Sequence, residues 1–112
     1  MNNYKIGYYY ERRVREYLES GGKYIVWRTP GSKSPIDIIA INKDTGEVLL
    51  VQVKKTDYES PDDIYDRVKK ELEEFASSFK TDNVKVELWV FSNRRLSVYS
   101  INKNNGQGEQ QR

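Results

Sequence analysis

Two short apolar segments near the middle of the chain constrain its fold more than any other feature. The first spans residues 34–41 and the second residues 48–54, and both are rich in β-branched side chains, as strands are. Residues 42–47 between them are mostly polar and include a glycine, so the two segments are predicted to form a β-hairpin. Each predicted strand also carries polar side chains where a core residue is expected.

The polar residues of this hairpin are Asp37 on the first strand and Gln52 and Lys54 on the second. Because side chains alternate along a strand, Gln52 and Lys54 lie on one face, where Asp37 can approach them. A carboxylate, an amide oxygen and an ammonium group held together in this way can bind Mg²⁺ beside a phosphodiester. An internal salt bridge between Asp37 and Lys54 is the alternative interpretation of the same residues.

The remaining segments predict how the hairpin is covered. One helix is predicted over residues 4–19, ending before two glycines. A second, amphipathic helix begins at Pro61 behind an N-cap at Ser60. The other predicted strands are residues 23–28, 84–91 and 96–101.

The order is therefore helix, three strands, helix and two strands. Because a helix crosses over between the third and fourth strands, we predict an α/β fold with a central mixed sheet flanked by helices. We expect one domain over residues 1–101. Residues 102–112 are rich in Asn, Gln and Gly, and we expect them to form a disordered tail.

Histidine and cysteine are both absent from the 112 residues. This excludes zinc fingers, Ser-His-Asp triads, cysteine nucleophiles and histidine general bases. An active site built from the remaining oxygen-bearing side chains favours Mg²⁺ or Mn²⁺ as its cation. No apolar run approaches the ~20 residues that span a bilayer, and the N-terminus lacks the apolar stretch of a signal peptide. We therefore expect a cytoplasmic protein without a membrane partner.

The small net charge of +2 hides an uneven distribution of charge. Residues 1–36 carry seven Lys and Arg against three Glu, whereas residues 57–79 carry eight acidic side chains against three basic ones. This pattern favours a basic face for a polyanion, with an acidic helix turned away from it. Ordinary solvated surface is the alternative that charge alone leaves open.

Four motifs follow one another along the chain: Gly7-x-x-x-Glu11-Arg12, Arg28-x-Pro30-Gly31-Ser32-Lys33-x-x-x-Asp37-Ile38-Ile39-Ala40, Val51-Gln52-Val53-Lys54, and the Glu-Phe-Ala at residues 74–76. Together they resemble the archaeal Holliday junction resolvases, members of the PD-(D/E)xK nuclease superfamily. The resemblance covers residues 4–79. It implies a restriction-endonuclease-like αβββαββ fold and a homodimeric, Mg²⁺-dependent endonuclease, encoded by an archaeon or an archaeal virus, that cuts four-way DNA junctions.

The resemblance also assigns roles to residues. The implied catalytic and metal-side groups are Glu11, Asp37, Gln52, the Val53 carbonyl, the catalytic lysine Lys54, and Ser32 near the cleaved strand. The basic side chains suited to phosphate contacts are Arg12, Arg13, Arg28, Lys33 and Lys55. For Glu11, a solvated helix carboxylate is the alternative, and for the basic residues it is plain surface charge.

Two positions depart from the family pattern. Gln52 stands where the family has Glu, and Val68 lies near a position where relatives often have Gln. A glutamine oxygen can bind Mg²⁺ but carries no charge, so the site loses one negative charge. Two further interpretations therefore stay open: a PD-(D/E)xK nuclease with another DNA substrate, and a catalytically inactive relative that binds DNA.

Overall fold

The computed structural model of this chain describes residues 3–29 and 34–103. Its elements are α1 (Asn3–Ser20), β1 (Tyr24–Arg28), β2 (Ile38–Asn42), β3 (Val48–Thr56), α2 (Pro61–Ser77), β4 (Val84–Ser92) and β5 (Arg95–Ile101). This is the predicted order of helices and strands. Residues 104–112, most of the predicted tail, lie outside the described residues.

The strands form one five-stranded sheet in the order β1-β2-β3-β4-β5. All neighbours are antiparallel except β3 and β4, which are parallel because α2 returns the chain to the same end of the sheet. The predicted mixed sheet is therefore confirmed. In the β2–β3 hairpin, Asn42 Oδ1 accepts hydrogen bonds from the N–H groups of Asp44 and Thr45, and Gly46 supplies the left-handed φ of 75°.

Each face of the sheet is covered by one helix, and each helix has its own layer of buried side chains. Helix α1 packs on β1, β2 and β3, whereas α2 packs on β4 and β5. The α1-side core consists of Val14, Val26, Ile38, Ala40, Leu49, Val51, Trp89 and Phe91. The α2-side core consists of Ile36, Leu50, Ile64, Leu72, Ala76, Val86, Leu88, Val90 and Ile101.

Helix α2 begins as its sequence predicts. The Ser60 hydroxyl accepts a hydrogen bond from the N–H of Asp63, and Pro61 occupies the first turn, where no N–H is needed. A serine cap of this kind stabilises a helix by about 1 kcal/mol. Among the described residues, no helix is long and apolar enough to cross a membrane.

Candidate active site

The pairing of β2 with β3 becomes irregular at Asp37, immediately before β2. Ile36 belongs to the α2-side core and Ile38 to the α1-side core, although residues two apart in a regular strand share a face. The Asp37 N–H donates to the Val51 carbonyl at 2.8 Å, yet the register partner of Val51 is Ile38. Two consecutive residues thus meet one on the neighbouring strand, which is the geometry of a β-bulge. The sequence prediction placed Asp37 inside a regular strand, and the bulge corrects this.

The bulge directs the Asp37 carboxylate at the backbone of β3. Its Oδ2 accepts a hydrogen bond from the Val53 N–H at 2.8 Å. On the other side, the N–H of Thr29 donates to the Asp37 carbonyl at 2.9 Å, and its hydroxyl donates to the Ile36 carbonyl at 2.6 Å. Asp37 is therefore held between β1 and β3. Because the N–H and C=O of a strand residue point toward the same neighbour, the Val53 carbonyl faces the side from which the carboxylate approaches.

Gln52 and Lys54 follow Leu50 at intervals of two, so they lie on the α2 side of β3. Gln52 is buried, with 8% of its surface exposed. Its Oε1 is the buried side-chain oxygen that has no hydrogen-bond partner in the described part of the chain. An unsatisfied buried acceptor costs about 1–3 kcal/mol. A cation bound at this oxygen would remove that penalty.

Glu11 and Arg28 meet on the α1 face of the sheet, where α1 lies over the end of β1. Arg28 Nε and Glu11 Oε1 are 2.5 Å apart, and 17% of the Glu11 side chain is exposed. The Arg28 guanidinium also stacks on the ring of Tyr8, with its carbon 4.8 Å from the ring centre. Glu11 is therefore a partly buried, paired carboxylate and not the solvated helix residue that the sequence left as an alternative.

The charged residues near Asp37 influence the ionisation of its carboxyl group. The pKa of the Asp37 carboxyl lies above its ordinary value, chiefly because burial removes water from the charged form. The hydrogen bond from Val53 opposes this rise, the negative charge of Glu11 adds to it, and the positive charges of Lys54 and Arg28 oppose it. Glu11, Lys54 and Arg28 thus all act on the Asp37 carboxyl. No ion pair joins Asp37 to Lys54 among the described residues, so the predicted alternative of a plain internal salt bridge does not describe their geometry.

This arrangement offers oxygen atoms to a hard cation. The Asp37 carboxylate, the unpartnered Oε1 of Gln52 and the Val53 carbonyl lie on adjacent residues of two paired segments, and these donor types suit Mg²⁺ or Mn²⁺. Within residues 3–29 and 34–103, no three acidic side chains cluster closely enough to hold a metal by themselves. The residues present fit a divalent ion that is bound by fewer carboxylates than is common.

Three of the predicted phosphate-binding residues contact other side chains of the protein. Arg12 is exposed beside Glu16 at 4.0 Å, and Arg13 donates to the Tyr9 hydroxyl at 3.2 Å. Lys55 pairs with Asp57 at 2.5 Å. Ser32 and Lys33 lie outside the described residues, and their roles stay predictions.

A cleft that the sequence did not predict opens beyond the carboxyl ends of β3 and β4. Its volume is about 510 Å³, and its lining residues are Tyr10, Lys55, Asp57, Asn93 and Arg94. Asn93 and Arg94 form the two-residue turn between β4 and β5, with φ angles of 50° and 69°. A basic residue in this left-handed turn is the only sequence signal for the cleft, and it is a weak one. Arg94 thereby joins Lys55 as a cation facing the same space.

Comparison with known proteins identifies the family of this chain. The family model for archaeal Holliday junction resolvase (Hjc) matches residues 2–105, which is nearly the whole chain. This chain belongs to the archaeal Holliday junction resolvase family. The match covers both strands of the candidate site and the helix that carries Glu11, and it supports a junction-resolving nuclease.

A solved structure shows the same fold. The 1.6 Å structure of Hjc, a Holliday junction resolvase from the archaeal hyperthermophile Archaeoglobus fulgidus, superposes with a TM-score of 0.56 at 21% sequence identity. The superposition covers 84% of this chain and 71% of that one. No curated protein matches the sequence closely enough to add a further relative. The predicted resemblance to the resolvase family and the predicted fold class are both confirmed.

Proposed function

We propose that this member of the resolvase family is a divalent-metal-dependent endonuclease that cuts four-way DNA junctions at the site formed by Asp37, Gln52 and Lys54. The observation that carries the proposal is the buried, unpartnered Oε1 of Gln52 on the residue next to Val53, whose N–H holds the Asp37 carboxylate. A folded protein keeps an unsatisfied polar atom in its interior at a cost, and ligand binding is a common reason.

The ligands of the ion would be Asp37, Gln52 and the Val53 carbonyl, and Glu11 would approach the ion from the α1 face of the sheet. Mg²⁺ or Mn²⁺ bound there would supply Lewis-acid stabilisation of the charge that develops on the scissile phosphate. Asp37 fixes one side of the site through its hydrogen bond to β3. Its raised pKa means that protons compete with a cation for this carboxylate, so metal affinity should fall toward acidic pH.

Lys54 is the residue that we assign to the reacting phosphate. It lies two residues beyond Gln52 on the same face of β3, and its ammonium group has three N–H donors. In that position it would orient the attacking water or donate to a phosphate oxygen as negative charge accumulates. The nonpolar side chain of Val90 is its register neighbour on β4, which limits the competing partners of the ammonium group.

Sequence-independent contacts to phosphates would supply most of the DNA affinity. We assign these to Arg12, Arg13, Arg28, Lys33 and Lys55, with Arg94 as an addition from the structure. Lys55 and Arg94 line one cleft, so a phosphate there would meet two cations and displace Lys55 from Asp57. Two symmetric cuts in a four-way junction need two active sites, so we also propose that the protein acts as a homodimer.

The replacement of the family glutamate by Gln52 favours one other function. A site with fewer carboxylates binds a cation more weakly, which is what a catalytically inactive, DNA-binding relative would show. A PD-(D/E)xK nuclease acting on another DNA substrate has the same site and differs only in what it cuts. The substrate therefore has to be tested together with the chemistry.

The deciding experiment compares cleavage of a labelled four-way junction, a nicked duplex and a linear duplex in Mg²⁺ and in Mn²⁺. We expect the wild-type protein to cut the junction selectively and Lys54→Ala to lose at least about 100-fold in rate, as for removal of a group that stabilises transition-state charge. Junction affinity of Lys54→Ala, measured by fluorescence anisotropy, should stay within about threefold, because one lost contact is a small part of the electrostatic binding.

Lys85→Ala provides the matched control, because Lys85 is an exposed lysine on the neighbouring strand β4. It removes the same charge and should cut like the wild type. Junction cleavage by Lys54→Ala at the wild-type rate would show that the active site is elsewhere. Binding without cleavage of any DNA in either metal would identify an inactive relative.

A further inference from the structure

The ion pair between Glu11 and Arg28 occupies two residues to which the reaction would assign different partners. The proposed function assigns Glu11 to the metal side of the site and Arg28 to a DNA phosphate, yet here the two side chains contact each other at 2.5 Å. The pair joins α1 to β1 across 17 residues of sequence. It is thus a tertiary contact between two functional groups and not a local pair within one helix.

The charged side chains around Asp37, counting Asp37 itself, have no net formal charge. Glu11 and Asp37 contribute two negative charges, and Arg28 and Lys54 contribute two positive ones, so their sum is zero. The other three residues all influence the Asp37 carboxyl electrostatically. A divalent cation entering this balanced group would meet Arg28 as a competitor for Glu11, and like charges close together repel each other.

We propose that Arg28 is a positioning residue that exchanges Glu11 for a junction phosphate, so that DNA binding and metal binding strengthen each other. This inference rests on the proposed function. When a phosphate takes the guanidinium, Glu11 becomes available to the metal side of the site. When the metal takes Glu11, Arg28 becomes available to the phosphate.

The geometry permits this exchange. A third of the Arg28 side chain is exposed, at 33%, so a phosphate can reach it without unfolding the site. Its planar face rests on Tyr8, itself 46% exposed, which keeps the guanidinium at the protein surface in either state. Arginine forms charge-assisted hydrogen bonds with carboxylates and phosphates in the same planar geometry, so the exchange replaces one strong contact with another.

Thermodynamic linkage makes the proposal quantitative. If a junction raises the affinity for the metal by some factor, the metal must raise the affinity for the junction by the same factor. Couplings of this type are typically about 5- to 150-fold, and we expect about tenfold here. The exchange would keep the metal weakly bound until a substrate is present, which protects other DNA from cleavage.

The first test measures Mn²⁺ affinity without DNA, from the electron paramagnetic resonance signal of the free ion. Arg28→Gln should bind Mn²⁺ about tenfold more tightly than the wild type, because Glu11 has lost its competing cation. The matched control is Arg15→Gln, which removes a positive charge from another Arg–Glu pair of α1, where the atoms are 3.3 Å apart. An exposed charge is screened by salt, so Arg15→Gln should change the affinity by less than about twofold.

The second test measures the coupling itself. In the Lys54→Ala background, anisotropy of a labelled junction gives its Kd with and without saturating Mn²⁺, and a linear duplex corrects for the effect of the ion on DNA. We expect about tenfold tighter junction binding with Mn²⁺, and a ratio near one when Arg28→Gln is added. A variant that had merely lost a structural contact would bind the metal more weakly, not more tightly.

The outcomes separate this inference from the function on which it rests. Mn²⁺ binding by Arg28→Gln that is no tighter than by Arg15→Gln overturns the exchange, even if the protein cuts junctions. Wild-type Mn²⁺ binding that Gln52→Leu leaves unchanged shows instead that the metal is elsewhere, and this removes the proposed site together with the exchange. Thermal melting of Arg28→Gln, monitored by circular dichroism, checks that the variant is folded.

Discussion

Gln52 combines burial, an unpartnered oxygen and a place beside the Asp37 carboxylate, three properties that rarely occur together without a ligand. A core residue at this position would pack against the apolar neighbour Leu88 on β4 without any polar penalty. The chain thus retains a side chain that lowers its stability at the position that we propose as a metal ligand. The same residue sets how strongly the site attracts a cation.

Substitutions of Gln52 should therefore move stability and metal binding in opposite directions. Gln52→Leu removes the unsatisfied oxygen and should raise the free energy of unfolding by about 1 kcal/mol while abolishing cleavage. Gln52→Glu restores a carboxylate and should tighten Mg²⁺ binding by about tenfold, with activity persisting at lower Mg²⁺ concentration. Urea denaturation and Mg²⁺ titration of the cleavage rate measure the two effects.

The contrary results have distinct meanings. Loss of stability in Gln52→Leu would mean that the amide makes a contact which stabilises the fold. If only Gln52→Glu cuts DNA, the chain is an inactivated variant of a working resolvase. Mn²⁺ should support the wild-type enzyme at least as well as Mg²⁺.

Asp37 shows the same conflict between stability and function through its ionisation. Its pKa in the folded protein is above the ordinary value, so the folded state binds the proton more tightly than the unfolded state does. Stability from this residue is therefore greatest when it is protonated, and it falls as pH rises through the raised pKa. The ionised form of Asp37 is unfavourable for folding, and a cation bound at the proposed site would offset this cost.

Asp37→Asn should accordingly be more stable than the wild type at neutral pH, because the amide oxygen can still accept the Val53 N–H without a buried charge. Its advantage should shrink as pH falls and the wild-type carboxyl becomes protonated. Urea denaturation at about pH 7 and about pH 4 measures the difference. Asp44→Asn, in the exposed hairpin turn, is the control. An advantage that grows toward acidic pH would contradict the direction of the pKa shift.

At the scale of elements, the hairpin and both helices could be predicted because their signals are local. Strand alternation, the Ser60-Pro61 helix start and the polar turn around Gly46 each involve neighbours in sequence. Four of the predicted strands agree with the observed ones to within two residues at each end, whereas β2 begins four residues later than predicted, after the bulge at Asp37. A helix between the third and fourth strands allows those two strands to be parallel, so the order of elements predicted the mixed sheet.

The candidate site was only partly predictable, because several of its contacts join residues that are distant in sequence. Asp37, Gln52 and Lys54 stand out as polar residues in apolar strands, and the structure brings them to adjacent positions. The bulge at Asp37 depends on which backbone groups pair, and the ion pair of Glu11 with Arg28 joins residues with no periodic relation. Neither has a sequence signature. The cleft at Arg94 arises from the meeting of three elements, and periodicity describes only one element at a time.

A hydrogen bond between α2 and β5 gives a prediction at this scale. The Tyr99 hydroxyl donates to Asp62 Oδ1 at 2.5 Å, and its ring stacks on Tyr65 with centres 4.7 Å apart. Tyr99→Phe keeps the stacking and loses the bond, so the free energy of unfolding should fall by about 0.5–1 kcal/mol. Tyr58→Phe is the control, because Tyr58 is 98% exposed. Equal stability of the two variants in urea would show that the bond adds nothing.

The Tyr99 bond also predicts a pH window. Burial, and then the hydrogen bond and charge of Asp62, raise the pKa of Tyr99 to about 12. The folded protein thus keeps the phenol proton to higher pH than the unfolded chain, whose tyrosine titrates near its ordinary value of about 10. The stabilisation is complete below pH 10 and is lost as pH rises through about 12.

At the scale of the whole molecule, α2 covers only part of its face of the sheet and, within the described residues, leaves the β1 end exposed. Val26 points into the α1-side core, so its neighbours Ile25 and Trp27 lie on the other face of the edge strand β1. Helix α2 covers β4 and β5 on that face, and Ile25 and Trp27 remain 47% and 48% exposed. An exposed apolar strip on an edge strand is a typical association surface.

We infer that a second copy of the chain covers this strip, because a four-way junction requires two cuts related by twofold symmetry and each copy supplies one active site. Trp27→Glu places a charge in the centre of the strip and should weaken the dimer by at least about tenfold, as removal of a buried aromatic anchor does. Tyr58→Glu places the same charge on an exposed loop and should leave association unchanged. Sedimentation equilibrium at micromolar concentration measures both variants. If the wild type sediments only as a monomer, even with junction DNA present, the homodimer is wrong. If Trp27→Glu dimerises normally, the dimer forms through another surface.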